Sequence, residues 1–209
     1  MLVQDIMQAP VYTTTADQSL ADAYAFMRQQ RVRHLPVVAD EQLVGVITDR
    51  DLRLATSQLA ERPFTSTDSV TDVMSQPAIT AGPLDPIEEA ARLMRQHAIG
   101  CLPVADAGSL VGIVTGTDLL DALMRLTGLT KPGGRIEVRL PDEPGQLAAL
   151  TAKVANQGGN IRSVLSYSES KDTLRVLFQV DTINTRSVAQ VLRADGIEVL
   201  WPPAGRSTP

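Results

Sequence analysis

Thr48 and Asp51 have the types and spacing to hold a ligand, and the same three-residue step recurs at Thr115 and Asp118. An apolar, strand-like run precedes each pair: Gly45-Val46-Ile47 before Thr48 and Gly112-Ile113-Val114 before Thr115. A helix starting at such a Thr leaves backbone N–H groups unpaired, and these, with the hydroxyl, can hold a phosphate. Asp51 and Asp118 lie in the first turn and can accept hydrogen bonds from ribose hydroxyls, while Arg50 adds a charge suited to a phosphate. The same pairs also read as capping boxes, in which Thr caps the helix and Asp reciprocates at its third position. One residue can do both jobs.

Other chemistries find less support. His34 has no second His, Cys or carboxylate at metal-ligand spacing, and His97 falls at the end of a different helix. Cys101 has no local base and reads as an apolar strand residue, and Met27 and Met94 read as core. With no Ser-His-Asp set, paired carboxylates or metal cluster in view, the expectation is a non-enzymatic protein with no catalytic residue, no metal and no required cofactor.

The elements that position these residues come in two copies, 67 residues apart. Ile6-Met7 recurs as Val73-Met74, Pro10 as Pro77, Thr13 as Thr80, Met27 as Met94 and Leu35-Pro36 as Leu102-Pro103, without a gap. Such a register marks a duplicated unit. Within each copy the pattern predicts β-α-β-β-α. Residues 2–8 form a short helix or lead-in strand ended by Pro10, and Val11-Tyr12-Thr13 is extended. Ser19 caps a helix that buries Leu20, Ala23, Tyr24 and Met27. Its copy is expected to be better capped, by Asp85 with Pro86 at the first helical position, and to bury Ile87, Ala90, Ala91 and Met94. Polar turns at Asp40-Glu41-Gln42 and Asp106 to Ser109 join the next two strands. One copy is too small to close its own core, so the two are expected to pack sheet to sheet. Arg62 to Asp68 is an irregular crossing between them.

The third region does not follow the 67-residue period. Ile136 to Leu140, a helix with Leu147, Leu150 and Val154 inward, strands at Ile161–Tyr167 and Leu174–Val180, a helix from Thr185 to Ala194 and a strand at Ile197–Trp201 give β-α-β-β-α-β, a ferredoxin-like sandwich. Its open sheet face would want a cover, which predicts dimerisation. The expected division is 1–67 and 68–127 for the repeats, 128–134 for a linker, 135–201 for the third domain and 202–209 for a flexible tail, in an α+β fold class.

Charge is unevenly spread: residues 1–127 carry net −7 and residues 128–209 net +2. The acidic first part lacks the clustered positive charge that nucleic acid requires, so no nucleic-acid partner is expected. No apolar run reaches the ~18 residues of a membrane span. The N-terminus lacks a signal-peptide pattern and there is a single cysteine, so the expected setting is cytoplasmic, without a membrane partner.

The ungapped tandem units with Gly-apolar-apolar-Thr-x-x-Asp resemble a pair of CBS domains (a Bateman module), a regulatory fold that commonly binds adenosine-containing ligands in clefts between the repeats. The resemblance implies that Thr48 and Asp51 contact phosphate and ribose in one site, and Thr115 and Asp118 in the other. It also implies that Thr13, Ala16, Thr80 and Pro83 lie near the base-side entry, while Val32 to Leu35, including His34, and Ile99 to Leu102, including Cys101, line the adenine pocket. Arg50 corresponds to Thr117, so the cleft holding Thr48 is expected to take polyphosphate more readily, although Asp49 offsets part of the charge. The third region, with Asp142-x-Pro-Gly145 and Gly158-Gly159-Asn160-Ile161, resembles the ACT domain, an amino-acid-sensing module. That implies a ligand loop at Asp142, Gly145, Gln146 and Leu147, with Asn160 and Ile161 at a partner interface. The combination resembles the acetoin-utilisation regulators. The implied ligand is AMP, ADP, ATP or S-adenosylmethionine, with a possible amino acid at the ACT domain. The implied partners are a second copy of the chain and an unidentified regulated protein.

Overall fold

The computed structural model describes residues 1–57 and 63–204. Arg62 of the expected crossing and residues 205–209 of the expected tail lie outside the described residues. Two compact units, Met1–Leu120 and Asp121–Pro209, divide the chain.

The first repeat comprises β1 (Thr14–Thr15), α1 (Leu20–Gln30), β2 (His34–Ala39), β3 (Gln42–Thr48) and α2 (Asp49–Ala55). The second comprises α3 (Ile87–His97), β4 (Cys101–Asp106), β5 (Ser109–Thr115) and α4 (Gly116–Leu126). β1 runs parallel to β2, and the β2–β3 and β4–β5 pairs are antiparallel hairpins. Each hairpin closes through two residues with positive φ, Asp40 (48°) and Glu41 (62°) in one, Ala107 (47°) and Gly108 (87°) in the other. Two-residue turns of that sense match the twist of the flanking strands. The second repeat keeps only a parallel bridge, Ala81 to Val104, where the first has β1. The extended stretch expected at Val11–Thr13 pairs instead at Thr14–Thr15, opposite Val37 and Val38.

Ser19 caps α1 as expected: its Oγ accepts from the Asp22 N–H at 3.1 Å and donates to the Asp22 carboxylate at 2.7 Å. The expected advantage of the copy is reversed. Pro86 is itself the cap residue of α3 and has no side-chain acceptor, while Asp85 turns away to accept from the Gly82 N–H at 2.7 Å. The buried stripes are also narrower than expected. Leu20, Ala23 and Met27 are inward in α1, and Ile87, Ala90 and Met94 in α3, but Tyr24 and Ala91 face out. Each fully buried aliphatic side chain contributes about 1.5–3 kcal/mol, so the stripe suffices to hold a helix of this length.

The lead-in segments tie the repeats together. Gln8 N–H donates to Ile113 O at 2.8 Å and Ile113 N–H returns to Gln8 O at 3.1 Å. Sixty-seven residues on, Ser75 and Val46 make the same exchange, at 2.9 and 3.0 Å. Val3 and Gln4 donate to the carbonyls of Asp85 and Pro83, just as Val70 and Thr71 donate to those of Gln18 and Ala16. Each lead-in therefore docks on the opposite repeat, and Val70 and Met74 enter the core built by Leu20, Met27, Leu35, Val37, Ile47 and Leu52. This crossing explains the glycine that opens each heptad. A Cβ on Gly45 would lie 2.8 Å from both Met74 Sδ and Ser75 O, and one on Gly112 would lie 2.5 Å from Met7 Sδ.

In the second unit, β6 (Gly134–Pro141), α5 (Gln146–Asn156), β7 (Ile161–Ser170), β8 (Thr173–Val180), α6 (Thr185–Ala194) and β9 (Glu198–Trp201) give the expected ferredoxin-like order. The antiparallel sheet runs β7-β8-β6-β9. Ile136, Val138, Val176, Phe178 and Val180 pack against Leu150 and Val154 of α5 and Val188 and Leu192 of α6. Leu147, expected inward, is 38% exposed, because the buried stripe of α5 runs through Leu150 and Val154.

The other sheet face carries an ion-pair lattice beside apolar side chains: the register puts Leu165, Leu177 and Trp201 in the row of Glu137, and Tyr167 opposite Arg175. Arg139 reaches Glu169 and Glu198, each at 2.5 Å, while Arg175 pairs with Glu169 at 2.8 Å and Arg135 with Glu137 at 2.6 Å. Alternation along β6 and β8 puts these charges opposite the core side chains, where they pair with one another.

Candidate functional site

A cleft of about 330 Å³ opens in the first unit, lined by Gln8, Ala9, Pro10, Val11, Tyr12, Arg31, Val32, Arg33, His34, Ile113 and Thr115. Three pieces of chain meet there because of the crossing: the first lead-in, the α1–β2 connection and the end of β5. Arg31 ends α1 in the left-handed conformation (φ 56°), which turns the chain sharply into the cleft wall.

The lining includes Thr115 of the second Thr-Asp pair, with Asp118 behind it. Asp118 Oδ2 accepts from the Thr115 backbone N–H at 2.7 Å and from the Thr115 hydroxyl at 2.6 Å, and the Asp118 N–H donates to Thr115 Oγ1 at 3.4 Å. The remaining carboxylate oxygen, Oδ1, accepts from Gln8 Nε2 at 2.9 Å. Thr48 and Asp51 form the same reciprocal box, at 3.0, 2.7 and 3.2 Å. The capping reading thus describes both pairs as they stand, and Gln8 adds to one of them a donor group where a ribose hydroxyl could donate.

Of the residues singled out from the sequence, Val32, His34 and Thr115 line this cleft, and Asp118 joins through Gln8. Leu35 and Leu102 are fully buried. The carbonyls of Ala16 and Pro83 serve the lead-in contacts. Thr13 and Ile99 are half-buried, and Thr80, Arg50 and Thr117 are exposed, all outside the cleft lining. Thr48, Asp51 and Cys101 are not part of the cleft lining, although Thr48 pairs with His34 across the hairpin and the Asp51 charge reaches both His34 and Cys101. Gln8, Pro10, Tyr12, Arg31 and Ile113 carry no local signal of a site, because their convergence depends on the crossing, while Arg33 falls within the expected Val32–Leu35 stretch.

His34 sits between the two Thr-Asp pairs, and a Cβ on Gly100 would be 3.0 Å from its Nε2. Burial and then the Arg33 charge hold its imidazole below the usual value, with Asp49 and Asp51 opposing. A histidine with a lowered folded-state pKa costs stability on acidification, because the unfolded chain takes up the proton first. Stability is therefore flat above the unfolded value of about 6.5 and falls as pH drops through it towards the lower folded value. Thermal melts of the His34→Gln variant should lose less between about pH 7.5 and about pH 5 than those of the parent; an equal loss contradicts this.

Cys101 is buried at 4% exposure, and burial, with a smaller contribution from Asp51, pushes its thiol up to about 12. The thiol is thus protonated at neutral pH and enclosed. Folded protein should resist a thiol-reactive dye that labels it stoichiometrically in denaturant, and rapid labelling of the native chain would refute the assignment.

In the ACT-like unit, Gly145 precedes α5 with φ 91°, and a Cβ there would meet nothing within 4 Å. Its glycine therefore serves backbone conformation rather than close approach, and α5 starts at Gln146 rather than at Pro144. Asn160 N–H donates to Asp181 Oδ1 at 3.1 Å, and its carbonyl accepts from the Asp181 N–H. Asp142 N–H donates to Asp172 O, joining the loop ahead of α5 to the β7–β8 turn. Leu147 is exposed, Ile161 half-buried. Among the described residues no group of His, Cys, Asp and Glu is arranged to hold a metal ion, and no helix is long and apolar enough to cross a membrane.

A duplicated β-α-β-β-α unit with crossed lead-ins and a Thr-x-x-Asp box at each second helix defines a CBS pair, and the chain belongs to the CBS domain family, which it matches over residues 3–57 and 70–125. The ACT domain family matches residues 134–194, so the architecture is a tandem CBS pair followed by an ACT domain. Among its relatives is a CBS domain-containing protein of Dictyostelium discoideum, 37% identical over 139 residues, 60% of this chain and 93% of that protein. The solved CBS domain pair of protein MJ0100, in complex with 5′-methylthioadenosine and S-adenosyl-L-methionine, is 31% identical with a TM-score of 0.53, covering 63% of this chain and 98% of that one. A structure named as an acetoin utilization protein (AcuB) from Vibrio cholerae is 32% identical with a TM-score of 0.52, covering 62% and 95%.

Proposed function

We propose that this protein is a non-enzymatic, cytoplasmic regulator whose CBS pair senses an adenosine-containing ligand, AMP, ADP, ATP or S-adenosylmethionine. The observation that carries this reading is the cleft of about 330 Å³ whose lining includes Thr115, with Asp118 presented through Gln8. The adenosyl ligands of the MJ0100 pair support it. Ribose hydroxyls would replace the Gln8 amide as donors to Asp118 Oδ1, leaving Thr115 to hold the start of α4. Because Gln8 is also laddered to Ile113, its release is felt by the lead-in that joins the repeats. Coupling of this kind is reciprocal: the arrangement that ligand favours also binds ligand better.

The ACT unit serves self-association into a homodimer, or senses an amino acid. The support for self-association lies on the outer sheet face beside the ion pairs, where the edge strand β7 leaves Leu165 and Tyr167 37% and 50% exposed. The likeness to the acetoin utilization protein makes acetoin catabolism the first pathway in which to seek the regulated partner. A second reading, an adaptor with empty clefts, draws on the Thr-Asp boxes, which satisfy themselves without a ligand.

Calorimetry and thermal shift with AMP, ADP, ATP and S-adenosylmethionine separate the two. Saturable binding at one or two sites per chain supports the sensor, and silence with all four ligands leaves the adaptor.

A further inference from the structure

The two repeats differ in charge where the first helix runs into the next strand. The α1–β2 connection brings Arg31, Arg33 and His34 to the wall of the cleft that Thr115 lines. At the positions 67 residues later the chain has Ala98, Gly100 and Cys101. The basic trio is therefore present once in the repeat pair, and Arg50, the basic residue of the other Thr-Asp box, is outside this cleft's lining. Arg31 and Arg33 are exposed, while His34 is half-buried.

Resting on the reading of this cleft as an adenosyl site, we propose that it takes a phosphorylated ligand, and that a proton is taken up at His34 as the phosphate enters. The charged groups around His34 are Arg31 and Arg33 on its own segment, Asp49 and Asp51 on α2, and Asp118 on α4 across Gln8, while Cys101 on β4 is a neutral thiol. In the empty cleft, burial and Arg33 favour the neutral ring. A dianionic phosphate beside the ring reverses that balance, because an opposite charge at short range favours the imidazolium. Arg31 and Arg33 offset the phosphate's remaining charge, and the proton comes from solvent. The cleft marked by Thr48 and Asp51 lacks an imidazole at the matching position and has no such step.

Calorimetry on the full chain with AMP and with adenosine, at about pH 7 in two buffers of unlike ionisation enthalpy, tests this. AMP binding is expected to show net proton uptake of up to one per chain, and adenosine binding none. The nucleotide's own second phosphate ionisation, near about 6, would release protons on meeting arginines, so uptake identifies the imidazole. Affinity for AMP should rise several-fold between about pH 8 and about pH 6.5, while that for adenosine stays constant. In His34→Gln, and in His34→Cys with the other repeat's residue, proton uptake disappears and adenosine binding is retained. AMP binding without proton uptake, or uptake that survives both substitutions, overturns the proposal while leaving the adenosyl reading standing. Failure of both AMP and adenosine to bind removes that reading and this inference with it.

Discussion

Asp118→Ala should abolish most of the adenosine-ligand affinity of its cleft and lower the stability of the repeat pair at once. Three donors converge on this carboxylate, the Thr115 N–H, the Thr115 hydroxyl and Gln8 Nε2. Removing the acceptor orphans the Thr115 N–H at the start of α4, and the loss of such a cap costs about 0.5–2 kcal/mol. For the ligand, two ribose hydroxyls lose a charged acceptor. Hydrogen bonds to charged groups contribute about 1.5–3 kcal/mol each, so even one such loss weakens binding by roughly 10- to 100-fold. Asp51→Ala carries the same capping penalty in the other repeat but leaves Gln8 and this cleft intact. The two variants should therefore melt alike and differ in which binding site is lost. Gln8→Ala runs the other way. It removes the internal donor that a ligand must displace, so affinity should rise by about two- to tenfold for one hydrogen bond of ordinary net strength. Calorimetric titration of the three variants tests this; equal affinities in Asp118→Ala and the parent would place the ligand elsewhere.

Much of the fold could be read in the chain, and the reason lies in its duplication. The Thr48–Asp51 and Thr115–Asp118 boxes, the Ser19 cap and the two hairpins are local features, decided by residues within a few positions of each other. The β-α-β-β-α-β order of the third region was legible for the same reason, through alternation along Ile136–Leu140 and the helical period after Thr185. The crossing was not. A 67-residue offset makes Val3 equivalent to Val70, but it is equally satisfied whether a lead-in folds onto its own repeat or onto the other. That choice is settled by loop geometry and packing between distant segments. Since Gln8, Tyr12 and Arg31 meet Ile113 and Thr115 only through the crossing, half of the cleft wall was hidden along with it. In the sequence, Arg50 is the basic residue that falls within a Thr-Asp box, which is why polyphosphate is expected beside Thr48. Arg31 and Arg33 are distant in sequence from Thr115 but adjacent to it in the fold. The ion-pair lattice was missed for a related reason. Arg139 and Glu169 are thirty residues apart, and only the β7-β8-β6 strand order brings them to one face.

The crossing also leaves Gly45 no room for a methyl group. In Gly45→Ala the new Cβ would meet Met74 Sδ and the Ser75 carbonyl, both at 2.8 Å. The methionine can swing aside, but the carbonyl cannot, because it accepts the Val46 N–H at 3.0 Å in the ladder that holds the second lead-in. Relief requires the lead-in to shift, and with it Val70 and Met74, which fill the first repeat's core. Overpacking of this kind costs about 1–3 kcal/mol, and the fixed carbonyl places Gly45→Ala at the upper end. In a chain of this size that lowers the melting temperature by roughly 6–12 °C. Gly112→Ala provides the contrast, since the three atoms nearest its Cβ all belong to the Met7 side chain, Sδ at 2.5 Å and Cγ at 2.9 Å among them. Truncation at Met7 should therefore recover much of the Gly112→Ala loss, whereas truncation at Met74 should recover little of the Gly45→Ala loss. Denaturant unfolding of both double-mutant cycles measures this difference as a coupling energy. Equal rescue in the two cycles would mean that the Ser75 carbonyl yields as easily as a side chain. The ladder between the repeats would then be soft enough to open whenever a ligand displaces Gln8 from its counterpart.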